Sequence, residues 1–259
     1  MKADLHNHTI LCNHATGTVA EYVEAAITCQ TEYFGFSDHA PMHYDPAYRM
    51  SFAQMELYES WIKEAQERYR DQITVLLGYE VDFLPGYMDD IILKRPCDYL
   101  IGSVHFIDDW GFDNPEFIGR YVGADIDDIY RRYFSLVEAM ASSGKFDIVG
   151  HLDLLKVFKY LPTSDIRLLA HDALKAIKHS NMTIEINVAG YRKPIEEAYP
   201  APLLLEQIAE MEIPITFGSD AHAKEQVGMY SDQVEALARS VGYEQCAVYR
   251  GRDRELIKF

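Results

Sequence analysis

Six times along this chain a short apolar run closes on histidine, aspartate or glutamate, and no other feature limits the fold as tightly. The runs end Asp4-Leu5-His6-Asn7-His8, Phe36-Ser37-Asp38-His39, Gly78-Tyr79-Glu80-Val81-Asp82, Gly102-Ser103-Val104-His105, Val149-Gly150-His151-Leu152-Asp153 and Gly218-Ser219-Asp220-Ala221-His222. Short apolar runs bounded by polar residues read as buried strands. The pattern predicts strands near Lys2–Leu5, Tyr33–Ser37, Thr74–Glu80, Tyr99–Val104, Asp147–Gly150, Thr183–Asn187, Pro214–Gly218 and Ala247–Tyr249. Helical stretches lie between them: Thr18–Gln30, Ser51–Arg70, Asp125–Ser143, Thr163–Ser180, Pro202–Met211 and Ser231–Val241. Thr18-x-x-Glu21 and Ser51-x-x-Gln54 open the first two with capping boxes, each satisfying free backbone donors of the first turn. A strand followed by a helix, repeated about seven times, makes a parallel barrel or a doubly wound sheet.

Two observations favour the barrel. No Gly-x-Gly-x-x-Gly follows any strand, so the dinucleotide fingerprint is absent. The polar residues also collect at the C-terminal ends of the strands, where barrels place their active sites. With no linker, repeat or low-complexity tract, residues 1–259 read as one α/β domain. No apolar run approaches the ~20 residues needed to span a bilayer. The opening Met1-Lys2-Ala3-Asp4 has no signal-peptide character, so a cytoplasmic location is expected. The 41 acidic and 24 basic residues give a net charge of −17, which disfavours nucleic acid as a partner. A small anionic substrate stays compatible, because bound cations dominate the local field of a site. Cys12, Cys29, Cys97 and Cys246 show no paired spacing and read as reduced thiols, Cys12 being nearest to candidate ligands.

Residues two apart in a strand face one side, so His6 and His8 point together and can chelate one metal. A lone histidine at a strand end is more often structural. Seven of the ten histidines, however, fall at or just beyond strand ends, His14 among them; only His43, His171 and His179 lie elsewhere. That clustering points to metal, and imidazole with carboxylate suits zinc, iron or manganese better than magnesium alone.

In order and spacing, Asp4-Leu5-His6-Asn7-His8-Thr9, Ser37-Asp38-His39, Glu80, Ser103-Val104-His105, Gly150-His151 and Gly218-Ser219-Asp220-Ala221-His222 resemble the motifs of the polymerase-and-histidinol-phosphatase (PHP) superfamily, across essentially the whole chain. The resemblance implies a distorted (β/α)7 TIM-like barrel with three divalent metal ions. It assigns His6, His8, Glu80 and Asp220 to one ion. Glu80 would bridge to a second, held also by His105 and His151, and His14, His39 and His222 would hold the third. Ser103-Val104-His105-Phe106-Ile107 with Trp110-Gly111-Phe112-Asp113, the segment Ile186–Pro194 and Tyr199-Pro200 are similar to the histidinol-phosphatase branch. That branch implies hydrolysis of L-histidinol phosphate to L-histidinol and phosphate, in histidine biosynthesis.

Arg192 lies just beyond the sixth strand, at the same mouth, and a guanidinium there can grip a phosphate with two hydrogen bonds. Asp4, Asp38 and Asp153 are candidates to stand behind the ligand histidines and orient them. Asp153 has an equal claim to a salt bridge with Lys156, and Asp38 to a structural role. Asp108, Asp109 and Asp113 could meet a substrate ammonium group, but read first as a solvated acidic loop. His43, His171 and His179 read as surface or helix residues. The rival readings are a PHP phosphoesterase acting on nucleotides or another small ester, an amidohydrolase-like C–N hydrolase, and a non-catalytic metal-binding module. Oligomeric state is not legible.

Overall fold

The computed structural model describes residues 1–259. Seven parallel strands form its centre: β1 (Ala3–Asp4), β2 (Tyr33–Phe36), β3 (Thr74–Asp82), β4 (Tyr99–Ser103), β5 (Ile148–Val149), β6 (Thr183–Asn187) and β7 (Ile215–Gly218). They pair in sequence order. Beyond the short β1 the chain runs on beside β7: Leu5 N donates to Phe217 O (2.9 Å), Asp220 N to His6 O (2.7 Å) and His8 N to Ala221 O (3.0 Å). These bonds bring the two edges together and make the sheet a nearly closed barrel, distorted because β1 and β5 are only two residues long.

The helices follow the expected pattern: α1 (Val19–Thr28), α2 (Met55–Tyr69), α3 (Ile126–Ser142), α4 (Ile166–His179), α5 (Pro202–Glu210) and α6 (Ser231–Ser240). Both predicted capping boxes form, the second starting a 3-10 turn, Phe52–Gln54, that leads into α2. α3 buries Ile129, Tyr130, Tyr133, Phe134, Val137, Met140 and Ala141, the spacing of one apolar face. That face meets the barrel wall within a cluster of 61 buried residues.

The predicted eighth strand exists but does not join the barrel. Gln245–Arg250 (β8) pairs antiparallel with Asp253–Lys258 (β9). With β7 already bonded to β1's extension, the barrel offers β8 no edge. Instead Ala247 and Tyr249 enter a cluster with Leu5, Leu76, Tyr99, Ile101 and Ile148. Thr216 Oγ1 donates to Ala247 O (2.9 Å), and the Tyr249 hydroxyl lies 2.6 Å from Thr183 Oγ1 at the start of β6. The hairpin thus seals the N-terminal end. The Tyr99 ring fills the interior, with its hydroxyl on Leu5 O (2.6 Å), because Gly35 and Gly78 leave room: a Cβ on either would lie 1.9 or 2.4 Å from the tyrosine. Sealed below and filled in the middle, the barrel has its accessible cavity at the C-terminal mouth.

Candidate metal centre

The strand ends deliver seven imidazoles to that mouth. Neighbouring rings sit close together, His8 over His222 at 4.1 Å between centroids, His14 over His222 at 4.6 Å and His105 beside His151 at 4.9 Å. His6, His8 and Glu80 bring donor atoms within 4.8 Å of one another, as do Glu80, His105 and His151, and His14, His39 and His222. Asp220 joins His6 and His151 in a fourth such group and lies 3.1 Å from His8 Nε2. Cys12 falls within reach of His8 and His222, but burial pushes its thiol up to about 12, so it stands protonated.

Glu80 sits at the middle, buried at the end of β3. Its two oxygens face different groups. Oε2 lies 2.9 Å from His39 Nδ1, 3.4 Å from His6 Nε2 and 3.7 Å from His8 Nε2, yet has no aligned hydrogen-bond donor. Oε1 accepts from Ser103 Oγ (2.7 Å) and lies 2.9 Å from His151 Nε2 and 3.7 Å from His105 Nε2. Buried polar atoms without partners are rare, because desolvation costs about 1–3 kcal/mol each. Here His6 Nε2, Glu80 Oε2 and His222 Nε2 are all buried and unpartnered. Lone pairs converging without donors between them is the arrangement a cation satisfies.

The far side of four of the rings supports this. His6 Nδ1 donates to Glu185 Oε1 (2.7 Å), His8 Nδ1 to Asp38 Oδ1 (3.3 Å) and His105 Nδ1 to Asp82 Oδ1. His14 Nδ1 donates to Cys12 O (2.8 Å). A carboxylate or carbonyl on Nδ1 fixes the tautomer that leaves Nε2 free as a ligand. Burial works against charge on His6, His8, His14, His39, His105 and His222. Even so, Asp220 and Asp38 raise His8 to about 9, and Asp82 raises His105 to about 10. Burial wins at His39, lowered to about 4, and also lowers His14 and His222. Glu80 is held well below the carboxylate range, against burial, by His6, His39 and His105. The cluster draws positive charge to its centre, and divalent cations would supply it while displacing protons from the same nitrogens.

Other expected residues divide. Asp38 takes His8 and also the Thr9 backbone and hydroxyl. Asp4 touches no imidazole; it accepts from Ser219 N (2.8 Å), Ser219 Oγ (2.6 Å) and Asn7 (3.0 Å), tying β7's end to β1. Asp153 pairs with Lys156 (3.0 Å) and accepts from Ala201 N (2.8 Å). Arg192 donates through Nη2 to Ser219 O (2.8 Å) and Asp220 O (2.9 Å), leaving Nη1 buried and without a partner. His43 is exposed and stacks near Phe52 (4.7 Å).

Two carboxylates were missed. Glu185 lies inside β6, where it binds His6 and accepts from His151 N (2.8 Å). Gly218 makes room for it, since a Cβ there would lie 1.9 Å from Glu185 Oε1. An acid inside the otherwise apolar Thr183-Ile184-Glu185-Ile186 was the available signal. Asp82 shares a strand face with Glu80, holds His105 and is itself paired with buried Arg49 (2.6 Å).

The mouth opens into a cavity of about 740 Å³, lined by His14, His39, Glu80, His105, His151, Asp220 and His222 and by Tyr44, Tyr48, Arg49, Phe106, Asp109, Asp113, Glu116, Phe117, Arg192 and Lys193. No helix is long and apolar enough to cross a membrane.

Comparison with known proteins agrees with this geometry. The PHP domain family model matches residues 4–189. The protein named "Probable histidinol-phosphatase" of Deinococcus radiodurans is 42% identical over 245 residues, 92% of this chain and 93% of that one. The histidinol-phosphatase of Bacillus subtilis is 30% identical over 256 residues, 88% of this chain and 96% of its own. The crystal structure of a histidinol phosphate phosphatase from Lactococcus lactis, complexed with zinc, L-histidinol and phosphate, superposes with a TM-score of 0.78 at 22% identity, over 98% of both chains.

Proposed function

Because this chain belongs to the PHP domain family, we propose that it hydrolyses L-histidinol phosphate to L-histidinol and phosphate. The observation that carries the reading is the set of buried, unpartnered atoms at the barrel mouth, His6 Nε2, Glu80 Oε2 and His222 Nε2, in a chain 42% identical over most of its length to a histidinol-phosphatase-type relative. The chain is a phosphoric monoester hydrolase of that kind. A lysine-bridged C–N hydrolase fits less well: a carboxylate occupies the centre, and Lys156 is spent on Glu197 (2.6 Å), Ala198 O (2.7 Å) and Asp153.

We assign three divalent ions to the mouth. His6, His8, Glu80 and Asp220 would hold the first, Glu80, His105 and His151 the second, and His14, His39 and His222 the third. The two outward-facing oxygens of Glu80 suit the shared position. Zinc, the metal of the Lactococcus complex, fits the donor set, as do iron and manganese. Bound there, such ions supply Lewis acidity toward phosphoryl oxygens and bring the pKa of water toward neutrality.

The protein's own groups do the rest. Glu185, Asp38 and Asp82 hold three imidazoles at fixed orientation, so the donors need no reorganisation during turnover. Arg192 has one nitrogen anchored on two carbonyls, and its Nη1 is free for a phosphoryl oxygen. Its partial desolvation strengthens that hydrogen bond. A small biosynthetic substrate in the cytoplasm agrees with the acidic surface and the size of the cavity.

The test is phosphate release from histidinol phosphate, a nucleoside monophosphate and p-nitrophenyl phosphate, each with and without chelator. Chelator-sensitive turnover with kcat/KM highest for histidinol phosphate is expected. Comparable turnover of all three would leave a general phosphoesterase and remove the pathway assignment.

A further inference from the structure

Outside the metal cluster, two acids of the cavity wall, Asp113 and Glu116, pair with no lysine or arginine, and of the two only Asp113 is half-buried. Asp108, Asp109 and Asp113 all follow β4, but they differ in their surroundings. Asp108 pairs with Arg132, and Asp109 pairs with Arg120 at 3.2 Å; both aspartates are exposed. Asp113 lines the cavity, is half-buried, and pairs with no lysine or arginine of the chain.

Its position is firmly built. A two-stranded hairpin, Phe106–Ile107 with Trp110–Gly111, projects from the end of β4. Trp110 stacks edge-on to Tyr121 (4.6 Å) and Phe112 to Tyr133 (5.4 Å), both in the core. Phe112 N donates to His105 O (3.3 Å), and Asn114 N to Gly111 O (3.2 Å). With Phe112 wholly buried on one side, its neighbour Asp113 is presented to the cavity. The phosphate-gripping Arg192 is anchored above the end of β7. That is three strands further round a ring of seven, so the cavity is basic at one side and acidic at the other. A half-desolvated carboxylate is costly unless a cation or donor meets it.

We propose that Asp113 is a specificity-determining residue that receives the ammonium group of an amino-alcohol phosphate ester. This rests on the phosphomonoesterase reading above and adds the part of the substrate remote from the phosphorus. A zwitterionic ester laid across the cavity would put its phosphate at Arg192 and its ammonium at Asp113, and an amine-free ester would leave Asp113 unanswered.

Asp113→Asn keeps the shape and removes the charge. KM and kcat are measured for wild type, Asp113→Asn and Asp108→Asn on histidinol phosphate, phosphoethanolamine and the amine-free ethyl phosphate. Asp113→Asn should raise KM for both amine-bearing esters about 10- to 100-fold, the scale of one charge-assisted hydrogen bond. Ethyl phosphate should change less than about 2-fold, which also reports an intact fold. Asp108→Asn should behave as wild type. An equal loss on ethyl phosphate, or an unchanged KM on the amine-bearing esters, would overturn the proposal. If wild type ignores histidinol phosphate but prefers phosphoethanolamine to ethyl phosphate, and Asp113→Asn abolishes that preference, Asp113 keeps its role and the substrate assigned above falls.

Discussion

Single residues decide whether the imidazoles face inward, and Glu185 is the most informative of them. It accepts from His6 Nδ1 and from the His151 backbone, so it orients two strand ends at once. Glu185→Gln keeps the shape but weakens the acceptor, and metal affinity should fall about 10- to 100-fold, the usual cost of losing such a partner. Competition with a metal-indicator dye measures this; unchanged affinity would show that Gly218 accommodates Glu185 for packing alone. Much of the centre could be read before the fold was known, because a histidine at a strand end advertises itself. The same rule that pairs His6 with His8 also pairs Glu80 with Asp82. It could not tell that Glu80 turns to the centre while Asp82 turns behind His105 toward Arg49. Nor could it separate Asp38, which reaches an imidazole, from Asp4, which braces Ser219 instead. Those choices depend on which neighbouring strand stands opposite, and that is tertiary information.

At the scale of elements, helices α3 and α4 are stapled by one side chain. Asp127, in the first turn of α3, accepts from Thr163 N (2.6 Å), Thr163 Oγ1 (2.9 Å) and Ser164 Oγ (2.6 Å) ahead of α4. The Ser164 hydroxyl and the Thr163 groups hold its carboxyl at about 2, below the ordinary aspartate value. A depressed folded pKa means stability fully present above about pH 4 and lost as pH falls toward about 2. Asp127→Ala should lower the melting temperature by about 2–4 °C at pH 7, and the gap should narrow steadily below pH 4. A gap independent of pH would assign the effect to helix packing rather than to the charge. The helices themselves were legible to within a few residues, since capping boxes and apolar spacing are local signals. The fate of Ala247–Tyr249 was not. A strand pattern says nothing about which edge is free, and here closure by β7 had already taken the edge.

The whole molecule is strongly acidic, with a net charge of −17, and gathers buried carboxylates at one end of its barrel. Cations at the mouth would offset that repulsion and favour the folded state, which alone assembles the full donor set. Saturating metal should therefore raise the melting temperature, by about 5–10 °C at a hundredfold excess over Kd, and chelator should reverse the rise. Differential scanning calorimetry with and without chelator tests this, and an unmoved transition would deny the cluster any resident ion. The closure of β7 against the first strand's extension also bears on biosynthesis. Seven of the nine proposed donors, from His6 to His151, leave the ribosome well before Asp220 and His222. Until the chain reaches its last fifth, His8 lacks the Asp220 carboxylate beside it, and the ring of strands stays open where the two edges will meet. The donor set is thus completed after most of the barrel has been made, so full loading with metal belongs to the finished chain, and the nascent one carries only part of the site.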